Sequence, residues 1–96
     1  MTAGPEKKTK DAIRALLKEI GAWYYMPVPV GYGRSTVDFL VCYKGRFYGI
    51  EAKRADGKGV VTPAQTREIE DVRAAGGWAC VEDTLECVNV RRMLGV

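Results

Sequence analysis

A chain of 96 residues has the length of one domain with a single core, and its 47% hydrophobic and 28% charged content exclude a disordered segment. The net charge of +3, from 15 Lys+Arg against 12 Asp+Glu, permits a nucleic-acid partner without requiring one. The absence of histidine excludes His-based metal sites and His-dependent triads, so hydrolytic chemistry here must use carboxylates, lysine, hydroxyls or thiols.

The first ten residues, "MTAGPEKKTK", carry no apolar leader, and no apolar run approaches the roughly 18 residues of a membrane span. The expectation is a soluble cytosolic chain that forms one domain over residues 1–96. In "EKKTKDAIRALLKEI", residues 6–20, Ile13, Leu16, Leu17 and Ile20 recur at helical spacing, and Gly21 is the expected stop. "AWYYMPVPV" is aromatic and β-prone, then broken by Pro27 and Pro29, which suggests a short strand running into a loop or sheet edge. Gly31 and Gly33 make "GYGRS" a flexible connection that could approach a backbone closely.

Residues 37–43 and 46–53 read as the two strands of a hairpin. A two-residue Lys44-Gly45 loop would require positive φ at Lys44; a four-residue turn keeps the same register. "TPAQTREIEDVRAAGG" has explicit helix punctuation: Thr62 as N-cap, Pro63 in the first turn, Gln65 closing a capping box, and Gly76-Gly77 at the end. "WACVE" is a short buried strand. Asp83 or Thr84 could cap a closing helix through Leu94, although "ECVNV" could instead extend β structure. The order α, β, β, β, α, β, α implies an α/β fold with a mixed sheet flanked by helices. Cys42, Cys80 and Cys87 are odd in number and contain no CxxC pair, so they are expected as free thiols, mostly buried as small hydrophobes.

The hairpin contains the chemistry. Alternation puts Glu51 and Lys53 on one face, with Ile50 and Ala52 on the other. Folding the hairpin through an even-numbered loop brings Asp38 opposite Glu51. Opposed like charges destabilise a ladder, and a divalent cation would offset their repulsion. Mg²⁺ takes oxygen ligands and typically one or two carboxylates. A solvated charged face is the simpler alternative, but the residues around Asp38 are apolar at both parities, which suits it poorly.

Asp38, the Glu-x-Lys of "IEAKR", the preceding "GYGRSTVD" and the following "VTPAQ" with Gln65 together resemble the PD-(D/E)xK nuclease superfamily, and within it the VRR-NUC (virus-type replication and repair nuclease) family. The resemblance spans Glu6 to about Val81 and implies a restriction-endonuclease-like αβββαβ core. It implies Asp38 and Glu51 as metal-binding acids, Lys53 as catalytic lysine, the Ala52 carbonyl as a further metal ligand, and Gln65 near the scissile phosphate. Glu6 corresponds to an acid of the first helix that completes the metal site, although a helix N-terminal acid is also favoured by the macrodipole alone. Val37 departs from the pattern, standing where the family commonly has proline.

The implied function is a Mg²⁺- or Mn²⁺-dependent, structure-selective DNA endonuclease similar to Holliday-junction resolvases. The substrate would be branched DNA, and the enzyme would act as a homodimer in the cytoplasm, as a phage-encoded or bacterial protein. Lys7, Lys8, Arg34, Arg54, Lys58 and Arg67, with Lys10, are candidate phosphate contacts. The dimer would use the aromatic "AWYY" segment or the edge at Met26–Val30, unless Trp23 and Tyr25 are core. The alternative function is a non-catalytic nucleic-acid-binding module that keeps the nuclease fold, against which the presence of both acids and the lysine argues. A protein-interaction domain with a charged hairpin would tolerate alanine at Asp38 and Glu51.

Overall fold

The computed structural model describes residues 4–28 and 35–96; Gly31, Gly33, Arg34 and the far end of the Met26–Val30 edge lie outside them. Helix α1 (Pro5–Glu19) opens with Pro5, whose fixed φ suits a first turn, and buries Thr9, Ile13, Leu16 and Leu17. It ends at Gly21, which takes φ +76°. Strands β1 (Trp23–Tyr25), β2 (Phe39–Tyr43) and β3 (Arg46–Ala52) follow, then helix α2 (Pro63–Ala74), strand β4 (Trp78–Glu82) and helix α3 (Val88–Leu94). The sheet order is β1-β2-β3-β4. The first three strands are antiparallel, and β4 lies parallel to β3 after the crossover through α2. The fold is therefore mixed α/β, with the expected element order. Among the described residues, no helix is long and apolar enough to cross a membrane.

The β2–β3 turn is the two-residue form. Lys44 (φ +51°) and Gly45 (φ +79°) both take the positive φ that a type I′ turn demands. Tyr43 accordingly pairs with Arg46, and Phe39 with Ile50. The ladder stops one residue short of the expected opposition, because β2 begins at Phe39 and Asp38 sits in a bend before it.

Opposite faces of the sheet are covered differently. On one, Ile13, Leu16 and Leu17 of α1 and Val90 and Leu94 of α3 pack on Phe39, Val41, Tyr48, Ile50 and Ala52. On the other, Ile69 and Val72 of α2 pack on Val37, Leu40, Ala79 and Val81. Gly49 keeps this second layer thin, since a Cβ there would stand 3.2 Å from Val37 Cγ2. α2 does not reach the β1 side. Trp23 and Tyr25 are left 61% and 53% exposed, so they are not core residues. Cys42 is exposed on the same face, against the expectation of a buried thiol, while Cys87 is buried. Burial pushes the Cys80 thiol up to about 12 and that of Cys87 to about 11, which leaves both as inert thiols.

The far edge of the sheet is closed by side chains. Arg73 donates from Nε and Nη2 to the Ala79 carbonyl at 3.1 and 2.8 Å, and Asn89 Nδ2 donates to the Val81 carbonyl at 3.0 Å. At the end of β4, Glu82 is fully buried. Its carboxylate accepts from the main-chain N–H of Val90 (2.8 Å) and Thr84 (3.0 Å) and from Thr84 Oγ1 (2.8 Å). This anchored start makes "ECVNV" lead into helix rather than extend the sheet. Thr84 Oγ1 accepts from Val88 N–H at 3.1 Å, as a capping hydroxyl would, although the N-cap position itself is Cys87 with φ +56°.

Candidate active site

Asp38 and Glu51 meet where β2 leaves the ladder. A continued antiparallel ladder would pair Ala52 with Val37 through main-chain bonds. Instead, Asp38 Oδ2 accepts the Ala52 N–H at 2.9 Å. The carboxylate thus takes the last ladder bond and is fixed beside β3. The Ala52 carbonyl leaves the strand on the same side as its N–H, toward the space that Asp38 borders.

Glu51 is 3% and Lys53 7% exposed, and both project toward the α2 side. Lys53 is held from behind by its main-chain N–H, which donates to the Glu82 carbonyl at 2.8 Å. Gln65 works at both ends of its side chain. Its Oε1 accepts from Thr62 N–H at 2.9 Å, while the Gln65 N–H donates to Thr62 Oγ1 at 3.1 Å, completing the capping box. Its Nε2 donates to Glu51 Oε2 at 2.8 Å. The cap therefore orients the amide that holds the carboxylate.

The electrostatics are those of a buried acid held against a second one. Burial, then the charge of Asp38 and a hydrogen bond with it, push Glu51 up to about 8; Lys53 opposes the shift and Glu6 adds to it. Glu6, half-buried at the start of α1, thus acts on the pair through its charge. Among the described residues, no three Asp, Glu or Cys side chains converge into one cluster suited to an ion. What converges is a carboxylate pair with a neighbouring carbonyl, which suits a hard cation that completes its shell with water and phosphate oxygens.

Lys10 was not singled out by the motif, yet its Nζ lies 3.9 Å from Asp38 Oδ1. The available signal was spacing, because Lys10 stands four residues after Glu6 on the same helix face. The other cations are more dispersed. Lys7 pairs with Asp11 at 2.7 Å. Arg54 clamps Asp56 through Nε at 2.8 and 3.0 Å, and the Lys58 N–H donates to the same carboxylate at 3.0 Å. Lys8 borders a shallow cavity with Pro5, Ala55, Asp56 and Leu85. Arg67 is exposed on α2 near Ser35, and Arg34 lies outside the described residues.

No family model matches the chain, and no curated protein does. A solved structure described as a VRR_NUC domain superposes with a TM-score of 0.74 at 21% identity, over 94% of this chain and 96% of that one. The chain therefore has the fold of a VRR_NUC domain.

Proposed function

We propose that this chain is a VRR-NUC-type nuclease, a Mg²⁺- or Mn²⁺-dependent endonuclease that hydrolyses DNA phosphodiesters. The observation that carries the reading is buried Glu51, with Lys53 buried on the same face of β3 and half-buried Asp38 set against it. A buried carboxylate beside a second acid stays protonated or takes up a cation.

Asp38, Glu51 and the Ala52 carbonyl would hold the ion directly, with Glu6 reaching it through water. A bound divalent cation supplies Lewis acidity to the scissile phosphate and lowers the pKa of a water. Gln65 keeps the Glu51 carboxylate in one orientation by its 2.8 Å bond. Lys53, buried and tethered through its N–H, offers a fixed positive charge to the phosphate as negative charge accumulates in the transition state. Lys10 balances Asp38 from α1. Lys7, Lys8, Arg54, Lys58 and Arg67, with Arg34, would steer the DNA backbone, and their contribution should fall as salt rises.

So small a domain has little surface for reading bases, which favours recognition of DNA structure, as in a Holliday junction, over a long sequence. A homodimer built at the β1 edge would offer two sites to two strands.

The test uses labelled four-way junction, flap and linear duplex DNA, each with Mg²⁺, with Mn²⁺ and with EDTA. Metal-dependent cuts are expected, reduced about 10²-fold or more by Asp38→Ala and by Lys53→Ala. Cleavage in EDTA, or cleavage unchanged in both variants, would refute the reading. Junction binding without cutting, indifferent to both variants, would favour the binding module.

A further inference from the structure

Lys53 lies just past the end of β3, where a lysine is ordinarily left in solvent, yet it is only 7% exposed. The segment that follows folds back against it. Arg54 clamps Asp56 through Nε at 2.8 and 3.0 Å, and the Lys58 N–H donates to Asp56 Oδ1 at 3.0 Å, so residues 54–58 close into a turn. The turn returns Gly59 to the lysine. A Cβ at Gly59 would stand 3.0 Å from Lys53 Cβ, 3.3 Å from Arg54 Cγ and 3.4 Å from the Arg54 nitrogen.

Two glycines of this loop meet different needs. Gly57 takes φ +80° with open space where its side chain would be, so what it supplies is the backbone angle of the turn. Gly59 has no left-handed φ, and what excludes a side chain there is the lysine itself. The atom it meets is a Cβ, the least movable of that side chain, so swinging the far end of Lys53 does not relieve the contact. The Lys53 N–H is in turn pinned to the Glu82 carbonyl at 2.8 Å. The lysine stem is thus fixed at its N–H by β4 and at its Cβ by Gly59, while its charge acts on Glu51.

We propose that Gly59 is a positioning residue for Lys53: its bare backbone lets the loop of residues 54–59 close on the lysine stem and aims the ammonium into the site. The inference rests on the nuclease reading and extends it to a residue that carries no functional group. A fixed charge helps the transition state only if it already stands where the phosphate gathers negative charge. A small displacement at Cβ is levered along the side chain to Nζ, and a misplacement of about 1 Å can cost about 10²-fold in rate.

The experiment combines lysine labelling with cleavage. Acetylation of Lys53 by an N-hydroxysuccinimide ester is read by peptide mass spectrometry against exposed Lys18. It should be slow in the wild type and several-fold faster in Gly59→Ala. With Mg²⁺ and the DNA that the wild type cuts best, single-turnover cleavage by Gly59→Ala should slow by about 10- to 10²-fold, while DNA binding in EDTA keeps its wild-type affinity. Gly59→Ala added to Lys53→Ala should slow cleavage no further, because both changes remove one contribution. Gly57→Asn adds a side chain to the same loop, in open space and on a backbone that Asn tolerates, and should match the wild type in both readouts. Fast labelling of Lys53 in the wild type, unchanged labelling in Gly59→Ala, losses that multiply in the double variant, or equal effects in Gly57→Asn would overturn the assignment. So would a Gly59→Ala chain that fails to fold, since the contact would then hold the fold rather than the lysine. Accelerated labelling without any Mg²⁺-dependent cleavage by the wild type would keep the contact and remove the nuclease; cleavage lost in Lys53→Ala but untouched in Gly59→Ala would do the reverse.

Discussion

On one face of the sheet, α1 and α3 exclude water from Phe39, Val41 and Ile50; on the other, α2 covers the β3–β4 half and leaves Trp23 and Tyr25 in solvent. The buried charges of the candidate site project into the second face, at the border between its sealed and open halves. The difference separates two tasks. The first face supplies stability by apolar burial, and the second spends some of it to keep acids and a lysine close together.

That contrast predicts a graded set of responses. Phe39→Ala, at a fully buried position of the sealed face, should lower unfolding free energy by about 3–5 kcal/mol in a denaturant titration. A much smaller loss would mean that the face is not the principal core.

The second effect lies at the acids. Glu51 has its pKa raised from 4.5 to about 8 in the folded, metal-free chain. The folded state therefore holds a proton that the unfolded chain releases. Stability from this group is fully present below about pH 4.5 and declines as pH rises to and through about 8. The loss should reach a few kcal/mol. Thermal melts from pH 5 to 9 should show it, Mg²⁺ should restore part of it at the alkaline end, and Glu51→Gln should flatten the profile. A profile for Glu51→Gln that matches wild type would assign the dependence to another group.

At the border itself, Gln65→Ala removes half of the capping box and the Glu51 contact together, and should cost about 1–2 kcal/mol. Gln65→Glu can keep the cap but places a third negative charge beside the pair, so it should lose activity while retaining most of the helix stability. The smallest change belongs to the open half, where Trp23→Ala should stay within about 0.5 kcal/mol of wild type. A loss of several kcal/mol there would mean that the open half is covered in solution.

The sequence disclosed those parts of the molecule that depend on local rules. The Lys44-Gly45 loop sets the hairpin register, "TPAQ" marks both ends of a capping box, and alternation alone puts Glu51 and Lys53 on the same side. What stayed hidden depends on how far each helix reaches. Cys42 lies in an apolar run and reads as core, yet α2 stops short of it. Glu82 reads as the polar end of a strand; only the return of α3 over the sheet turns it into a buried acceptor for three donors. Asp38 was expected within the ladder, and its departure from it could not be seen because the side chain replaces a main-chain partner. Lys10 meets Asp38 through helix docking, which the motif spacing does not encode.

The Arg73 and Asn89 caps on β4 have a consequence for assembly. A sheet with two open edges can recruit copies at both and grow without limit, the first step toward a fibre. Here the outward carbonyls of Ala79 and Val81 are already occupied by side chains of their own chain. A strand added at this edge would find those acceptors taken, so β4 is a poor template for another copy and the edge is guarded against fibre-like growth.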